Sequence, residues 1–367
     1  MATSERLLVL IGSGETAAQM QRGHRMIATR LAGDSGRPQD VRAVVIDTPY
    51  GFQSNADQLT DGLVDFFGRR VGMSTSVATL RRSDVDVVAR ETAYSQIRDA
   101  DFVFAGPGSP SYALKQWRET DIPGLFAEKL RTGGAVVLAS AAALTMGRVT
   151  VPVYEIYKAG DDPFWLPGLD VLGTLGINAA VIPHYDNGEG GDHDTRYCFL
   201  GEERLLALEQ HLPEGTLILG IDEHTALMVD LVSEMCFVHG RGGVTLRRNG
   251  ESRHVGSGEA IPLIELQDDS TARGEVTPNR GALPAAAANG AAVAQQLVAL
   301  ERELSIARKR SGLVAPLIDA LLEIRQSARA NDDFATADVI RDRLLELGVE
   351  VKDSAAATEY LIGREPR

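Results

Sequence analysis

Ser140 stands where an apolar run, GAVVLA at 134–139, gives way to the small helix-forming residues AAAL. A serine at a strand-to-helix junction is lifted out of its sheet beside backbone N–H groups, the setting of a nucleophilic hydroxyl. An N-capping serine has the same signature, and Leu138 and Ala142 occupy the two places where glycines usually flank such a nucleophile. GPGSP at 106–110 closes another apolar run ahead of a helix. The amides of Gly108 and Ala141 can therefore supply the paired donors that acyl transfer needs as negative charge develops. In IPHYDN an apolar run ends at His184, where an imidazole is placed to act as general base. Asp222 and Glu223 follow TLILGI, and Asp186 lies two residues past the histidine, so three carboxylates compete to orient it.

Other candidates carry less chemistry. GSGET at 12–16 resembles a phosphate cradle, but Ala17 stands where the last glycine of GxGxxG belongs, so no nucleotide site is expected. His184, Asp186, Asp192, His193 and Asp194 share one loop, yet their spacing matches no established ligand pattern, so neither metal nor cofactor is expected. DTPYGFQSNAD at 47–57 leaves a strand for a helix and can line the same crevice.

The elements that must position these residues alternate. LLVLIG (7–12), VRAVVID (41–47), DFVFAGPG (101–108), GAVVLAS (134–140) and TLILGID (216–222) read as continuous apolar strands, with helical spacing over 56–71 and 111–131. Apolar strands separated by helices predict an α/β domain, doubly wound around a mostly parallel sheet covered on both faces. CFVHGRGGVTLRRNGESRHV predicts two strands around an Asn-Gly turn at an antiparallel edge, and the domain closes near Leu266. Residues 267–293, rich in Ala, Gly and Pro, read as a flexible linker. Amphipathic helices are then expected at 295–310, 313–327 and 334–347, forming a small C-terminal module at 294–367 whose last segment opens on a strand-like GVEV.

The chain has 367 residues, 37 Lys and Arg against 51 Asp and Glu, and a net charge of −14. That balance excludes a general polyanion binder. The 44% hydrophobic and 24% charged residues suit a globular protein, and no apolar stretch approaches a bilayer span. Cys198 and Cys236 are the only cysteines, which leaves no disulfide framework or CxxC pair and fits a cytoplasmic setting.

Taken in order, IGSGE, DTPYGFQSNAD, GPGSPSYAL, VVLASAAAL, IPHYDN and GIDEHTAL resemble the serial motifs of the cyanophycinase and peptidase E family, over about Leu7 to Val244. The resemblance implies a class I glutamine amidotransferase-like fold, three-layered αβα, that uses serine where the amidotransferases use cysteine. It implies hydrolysis of a peptide or isopeptide bond next to an aspartyl residue. Its SAGA motif falls on Ser140 to Ala143, its oxyanion turn on Gly106 to Ser109 with Gly108 as donor, and its base on His184. Its GIDExTA pattern points to Glu223 as the acid, with Asp222 and Asp186 as competitors. Ser109, Asp186, Asn187 and Arg196 are the expected substrate contacts. The family's arginine-rich stretch after the histidine is reduced here to Arg196 and Arg204, so cyanophycin itself is not the expected substrate.

The tail carries a second resemblance. LLEIRQSARANDDFATADVIRDRLLELGVEVKDS (321–354) is similar to the C-terminal helical segment of cysteinyl-tRNA synthetases, with ATEY at 357–360 in place of the usual GTxW ending. Residues 313–367 hold 11 acids and 7 bases, a weak footprint for phosphate binding. An interaction or homo-oligomerisation module and a tRNA contact both stand open for it. For the whole chain the expectation is a cytoplasmic serine hydrolase of a small peptide, isopeptide or amide. The alternative is an idle amidotransferase-like scaffold that binds a ligand in its crevice and a partner through its tail.

Overall fold

Strands without a polar residue lie at the centre of a sheet when helices cover both its faces, and the first half of the chain is built this way. The computed structural model describes residues 5–213, 215–267, 349–353 and 358–362. The chain divides into two units, Met1–Thr277 and Pro278–Arg367. The strands of the first unit are β1 (Arg6–Ile11), β2 (Arg42–Ile46), β3 (Ser74–Ala78), β4 (Phe102–Ala105), β5 (Gly134–Ala139), β6 (Val149–Thr150), β7 (Leu166–Pro167), β8 (Ala179–Ile182), β9 (Leu217–Ile221), β10 (Thr225–Asp230), β11 (Met235–Gly240), β12 (Gly243–Arg248), β13 (Glu251–Gly256) and β14 (Ala260–Pro262). Its first six helices are α1 (Ala18–Leu31), α2 (Ala56–Asp65), α3 (Val87–Asp99), α4 (Pro110–Arg118), α5 (Ile122–Thr132) and α6 (Ala141–Leu144).

An eight-stranded sheet runs β14-β11-β10-β1-β5-β4-β2-β3. It is parallel from β1 to β3, with Leu10 opposite Leu138 and Val103 opposite Val136, and turns antiparallel where β10 pairs with β1. The unit is the expected mixed α/β fold of the αβα class, with one difference in its sheets. The run TLILGID does not join the first sheet: β9 belongs to a second, six-stranded sheet of order β13-β12-β9-β8-β6-β7. Leu219 and Val181 of that sheet share one buried cluster with Leu8, Val136 and Leu138 of the first, so the apolar period that marks β9 as a core strand is satisfied across two sheets.

Local chemistry explains the remaining departures. The helical pattern over 111–131 is two helices, because Thr120 Oγ1 donates back to the Trp117 carbonyl (2.9 Å) and Pro123 fixes the start of α5. Beyond α2 the chain continues in wider turns to Val71 and stops at Gly72. The Asn-Gly hairpin joins β12 to β13 at an edge, with Asn249 (φ 52°) and Gly250 (φ 82°) both in the left-handed region that such a two-residue turn requires.

In the second unit a strand over Val349–Asp353 pairs antiparallel with Thr358–Ile362, so the described residues of GVEV and of ATEY lie in two paired strands. The helices expected at 295–310, 313–327 and 334–347, and the linker from 268 to 293, lie outside the described residues. Among the described residues no helix is long and apolar enough to cross a membrane.

A buried histidine marks the core under the first sheet. The His24 ring is ringed by Phe66, Phe67, Phe102 and Phe104 at centroid distances of 5.1–6.3 Å. Burial pushes its pKa from 6.5 down to about 4, so the ring is neutral and its Nε2–H donates to the Glu15 carbonyl (2.9 Å). The unfolded imidazole takes its proton near pH 6.5 and the folded one only near 4. His24 therefore contributes stability that is whole above pH 6.5 and is lost as pH falls toward 4, about 3 kcal/mol in all. Denaturant titrations between pH 7 and 4 are expected to show that slope in the native chain and a flatter one in His24→Phe.

Candidate active site

Ser140 takes up a backbone conformation that few residues tolerate, φ 50° and ψ −114°, between the end of β5 and the first residue of α6. Such a turn costs of order 1–3 kcal/mol and persists only where its surroundings fix it. Here the Ser140 N–H donates to the Ile11 carbonyl at the end of β1 (3.0 Å), and its carbonyl accepts from Leu144 N–H (3.1 Å). Leu138 and Ala142, which stand where glycines were expected to be needed, point into the main core and are fully buried. The sharp turn forms with a Cβ at both places.

The Ser140 hydroxyl lies 2.9 Å from His184 Nε2, and His184 Nδ1 lies 2.9 Å from Glu223 Oε1. The tautomer follows from the acid. Burial alone would raise the Glu223 pKa, but the bonds from His184 and from Asn187 Nδ2 (3.0 Å) outweigh it and hold the carboxyl below its ordinary 4.5. An ionised carboxylate only accepts, so Nδ1 carries the hydrogen, Nε2 is the acceptor, and the Ser140 hydroxyl donates to it. Of the three competing acids, Glu223 is the one bonded to the imidazole. Asp222 accepts from the Gly243 N–H (2.7 Å), and Asp186 accepts from the Glu223 N–H (2.6 Å).

His184 (φ 50°) is held from behind by a left-handed turn at Tyr197, Cys198 and Phe199 (φ 60°, 59° and 66°). The Cys198 N–H donates to the His184 carbonyl (3.1 Å), the Tyr197 N–H to the Tyr185 carbonyl (2.9 Å), and the Phe199 ring lies 6.1 Å from the imidazole. Nothing in the residue types signals this turn, because it contains no glycine or asparagine. Burial pushes the Cys198 and Cys236 thiols up to about 12, so neither offers a thiolate at neutral pH.

On the other side of Ser140, Gly108 packs so closely that an added Cβ would lie 2.0 Å from the Pro49 carbonyl oxygen, and Ser109 N–H donates to that same oxygen (2.9 Å). DTPYGFQ thus buttresses the Gly106–Ser109 turn. The four expected substrate contacts are all engaged with protein groups. The Ser109 hydroxyl accepts from Tyr112 N–H (3.2 Å) at the start of α4. Asn187 is buried against Glu223, and Asp186 holds the Glu223 amide. Arg196 is paired with Asp194 (2.8 Å) and Glu202 (3.0 Å). Among the described residues no three His, Cys, Asp or Glu side chains converge to hold a metal ion.

The fold of the first unit is similar to that of a solved peptidase from an acI-B1 Actinobacterium. The likeness covers 71% of this chain and 97% of that one, with a TM-score of 0.56 and 20% identity. The tail matches a different family: residues 313–360 fit the cysteinyl-tRNA ligase anticodon binding domain. The cysteine-tRNA ligase of Nitratidesulfovibrio vulgaris is 54% identical over 52 residues, 14% of this chain and 11% of the ligase. That of Maridesulfovibrio salexigens is 52% identical over 46 residues, 12% and 10% of the two chains. The chain thus spans about a tenth of the length of the curated relatives it matches. An αβα fold with a serine, histidine and carboxylate in hydrogen-bonded sequence, followed by a segment similar to the anticodon binding domain, describes the protein.

The Asn187 bond gives a local test. Asn187→Ala removes one of the donors that depress Glu223, so the Glu223 titration, followed by carboxyl carbon NMR, is expected to move up toward 4.5. Glu223's contribution to stability is present above pH 4.5 and lost as pH falls through its folded value. In Asn187→Ala that contribution is therefore smaller, and its loss, which starts at the same pH, is complete at a higher pH than in the native chain.

Proposed function

We propose that the protein is a serine-type hydrolase of a small peptide, isopeptide or amide. The observation that carries this reading is the unbroken chain from Ser140 Oγ through His184 to Glu223, 2.9 Å at each link, on a serine held in a strained turn. In the first half-reaction His184 Nε2 takes the Ser140 proton as Oγ bonds to the substrate carbonyl carbon, and Glu223 stabilises the imidazolium. The Gly108 and Ala141 amides donate to the oxyanion. His184 then returns the proton to the leaving amine as the C–N bond breaks, leaving an acyl group on Ser140. Water, deprotonated by the same imidazole, releases the acid and restores the serine.

The buried packing of Leu138 and Ala142 beside the strained turn at Ser140 supports this reading over that of an idle ligand site in the crevice. For the tail the reading is an interaction or homo-oligomerisation module, supported by its acidic balance.

A panel of dipeptides and isopeptides, including α- and β-aspartyl members, tests the mechanism. Release by the native chain is expected to fall by about 10³–10⁶ in Ser140→Ala and in His184→Ala, and a fluorophosphonate is expected to label the native chain but not Ser140→Ala. Release that persists in Ser140→Ala overturns the serine mechanism.

A further inference from the structure

A cleft of about 660 Å³ opens beside the Gly106–Ser109 turn, with Pro107 and Tyr50 at that end and Glu15, Asn55 and Gln58 along its wall. Asp65, paired with Arg69 (2.8 Å), and Arg70 also line it, and Glu15 is its second acid. Glu15 is the acidic residue of GSGET, and its place is fixed from two sides. Its carbonyl is held by His24, and Gly14 (φ 65°) lies so close to the next loop that an added Cβ would meet His224 Nδ1 at 2.1 Å. The loop that carries Glu15 is therefore clamped to the loop that carries Glu223.

Glu15 is half-buried, and burial holds its carboxyl above the ordinary 4.5 against the opposing pull of its own backbone N–H and of the His184 and His224 imidazoles. It forms no ion pair with Lys, Arg or His among the described residues. A half-buried acid at the wall of a cleft that reaches the Gly106–Ser109 turn, without a cation of its own, is a strong acceptor for one that arrives with the substrate. It equally repels a substrate carboxylate at that position.

We propose that Glu15 is the specificity residue of the site and receives an ammonium group of the substrate beside the bond that Ser140 attacks. The substrates are then amine-bearing peptides or amides, with the amine at the free N-terminus or on a lysine-type side chain. This rests on the serine-hydrolase reading for the place of the scissile bond, so binding and turnover are tested apart. Binding to the full-length Ser140→Ala chain is measured by calorimetry with alanyl-alanine amide, its N-acetyl form and N-acetyl-lysyl-alanine amide. One amine-bearing probe is expected to bind about tenfold or more tightly than the neutral acetylated one, and the preferred probe identifies the source of the amine. Adding Glu15→Gln, which keeps the side-chain shape, is expected to erase the difference.

Equal affinity for all three probes, no binding of any, or discrimination unchanged by Glu15→Gln overturns the assignment. The acetylated comparison is made within one protein, so it stands even where the double variant is unstable. Release by the native chain is read separately. Amine discrimination without any turnover overturns the hydrolase and keeps the Glu15 site, whereas turnover without amine preference does the reverse.

Discussion

The chain passes from one sheet to the other in three residues. β9 ends at Ile221 in the six-stranded sheet, β10 begins at Thr225 in the eight-stranded sheet, and Asp222, Glu223 and His224 make the crossing. The passage is tight enough to force His224 to φ 53° and is pinned on both sides: Asp222 N–H donates to the Gly243 carbonyl (3.1 Å), and Gly12 N–H to the Thr225 carbonyl (2.9 Å). Ser140 rises from the first sheet and His184 from the second, so their 2.9 Å contact is a distance between sheets. The crossing sets that distance and also supplies the carboxylate bonded to the His184 imidazole.

This arrangement explains why so many polar groups near Ser140 serve the framework. Asp186 and Asn187 both act on Glu223, one through its backbone and one through its carboxylate. Glu223 in turn holds the imidazole in the tautomer that leaves Nε2 free to accept. Orientation is thereby fixed before any substrate arrives, which is the condition for electrostatic preorganisation. The strained backbone at Ser140, His184 and His224 is the cost of bringing three loop ends to one point.

Much of this was legible from residue types. Continuous apolar runs announce β1, β2, β4 and β5 because strands buried on both faces have no polar side to alternate with. The abrupt change from LASA to AAL announces the turn at Ser140, and the family-like order of motifs picks Glu223 from three acids. The division into two sheets was not legible, since an apolar run records burial and not its partner strand. The left-handed turn behind His184 was equally hidden. Tertiary contacts from Tyr185 and His184 impose it on residues with no local preference for it. The cleft at Glu15 was not legible either, because GSGET reads as a phosphate cradle or as one of the family-like motifs, and neither marks its acid.

Cys198 lies within that left-handed turn, only 4% exposed, with its amide bound to the His184 carbonyl. Its thiol stays sealed while the turn stays closed. With Cys236 fully buried in the main core, the folded unit presents almost no thiol to a reagent. Cys198 is thus a built-in chemical clock for the integrity of the histidine's support: its alkylation rate counts the openings of that turn, whether or not a substrate is ever turned over.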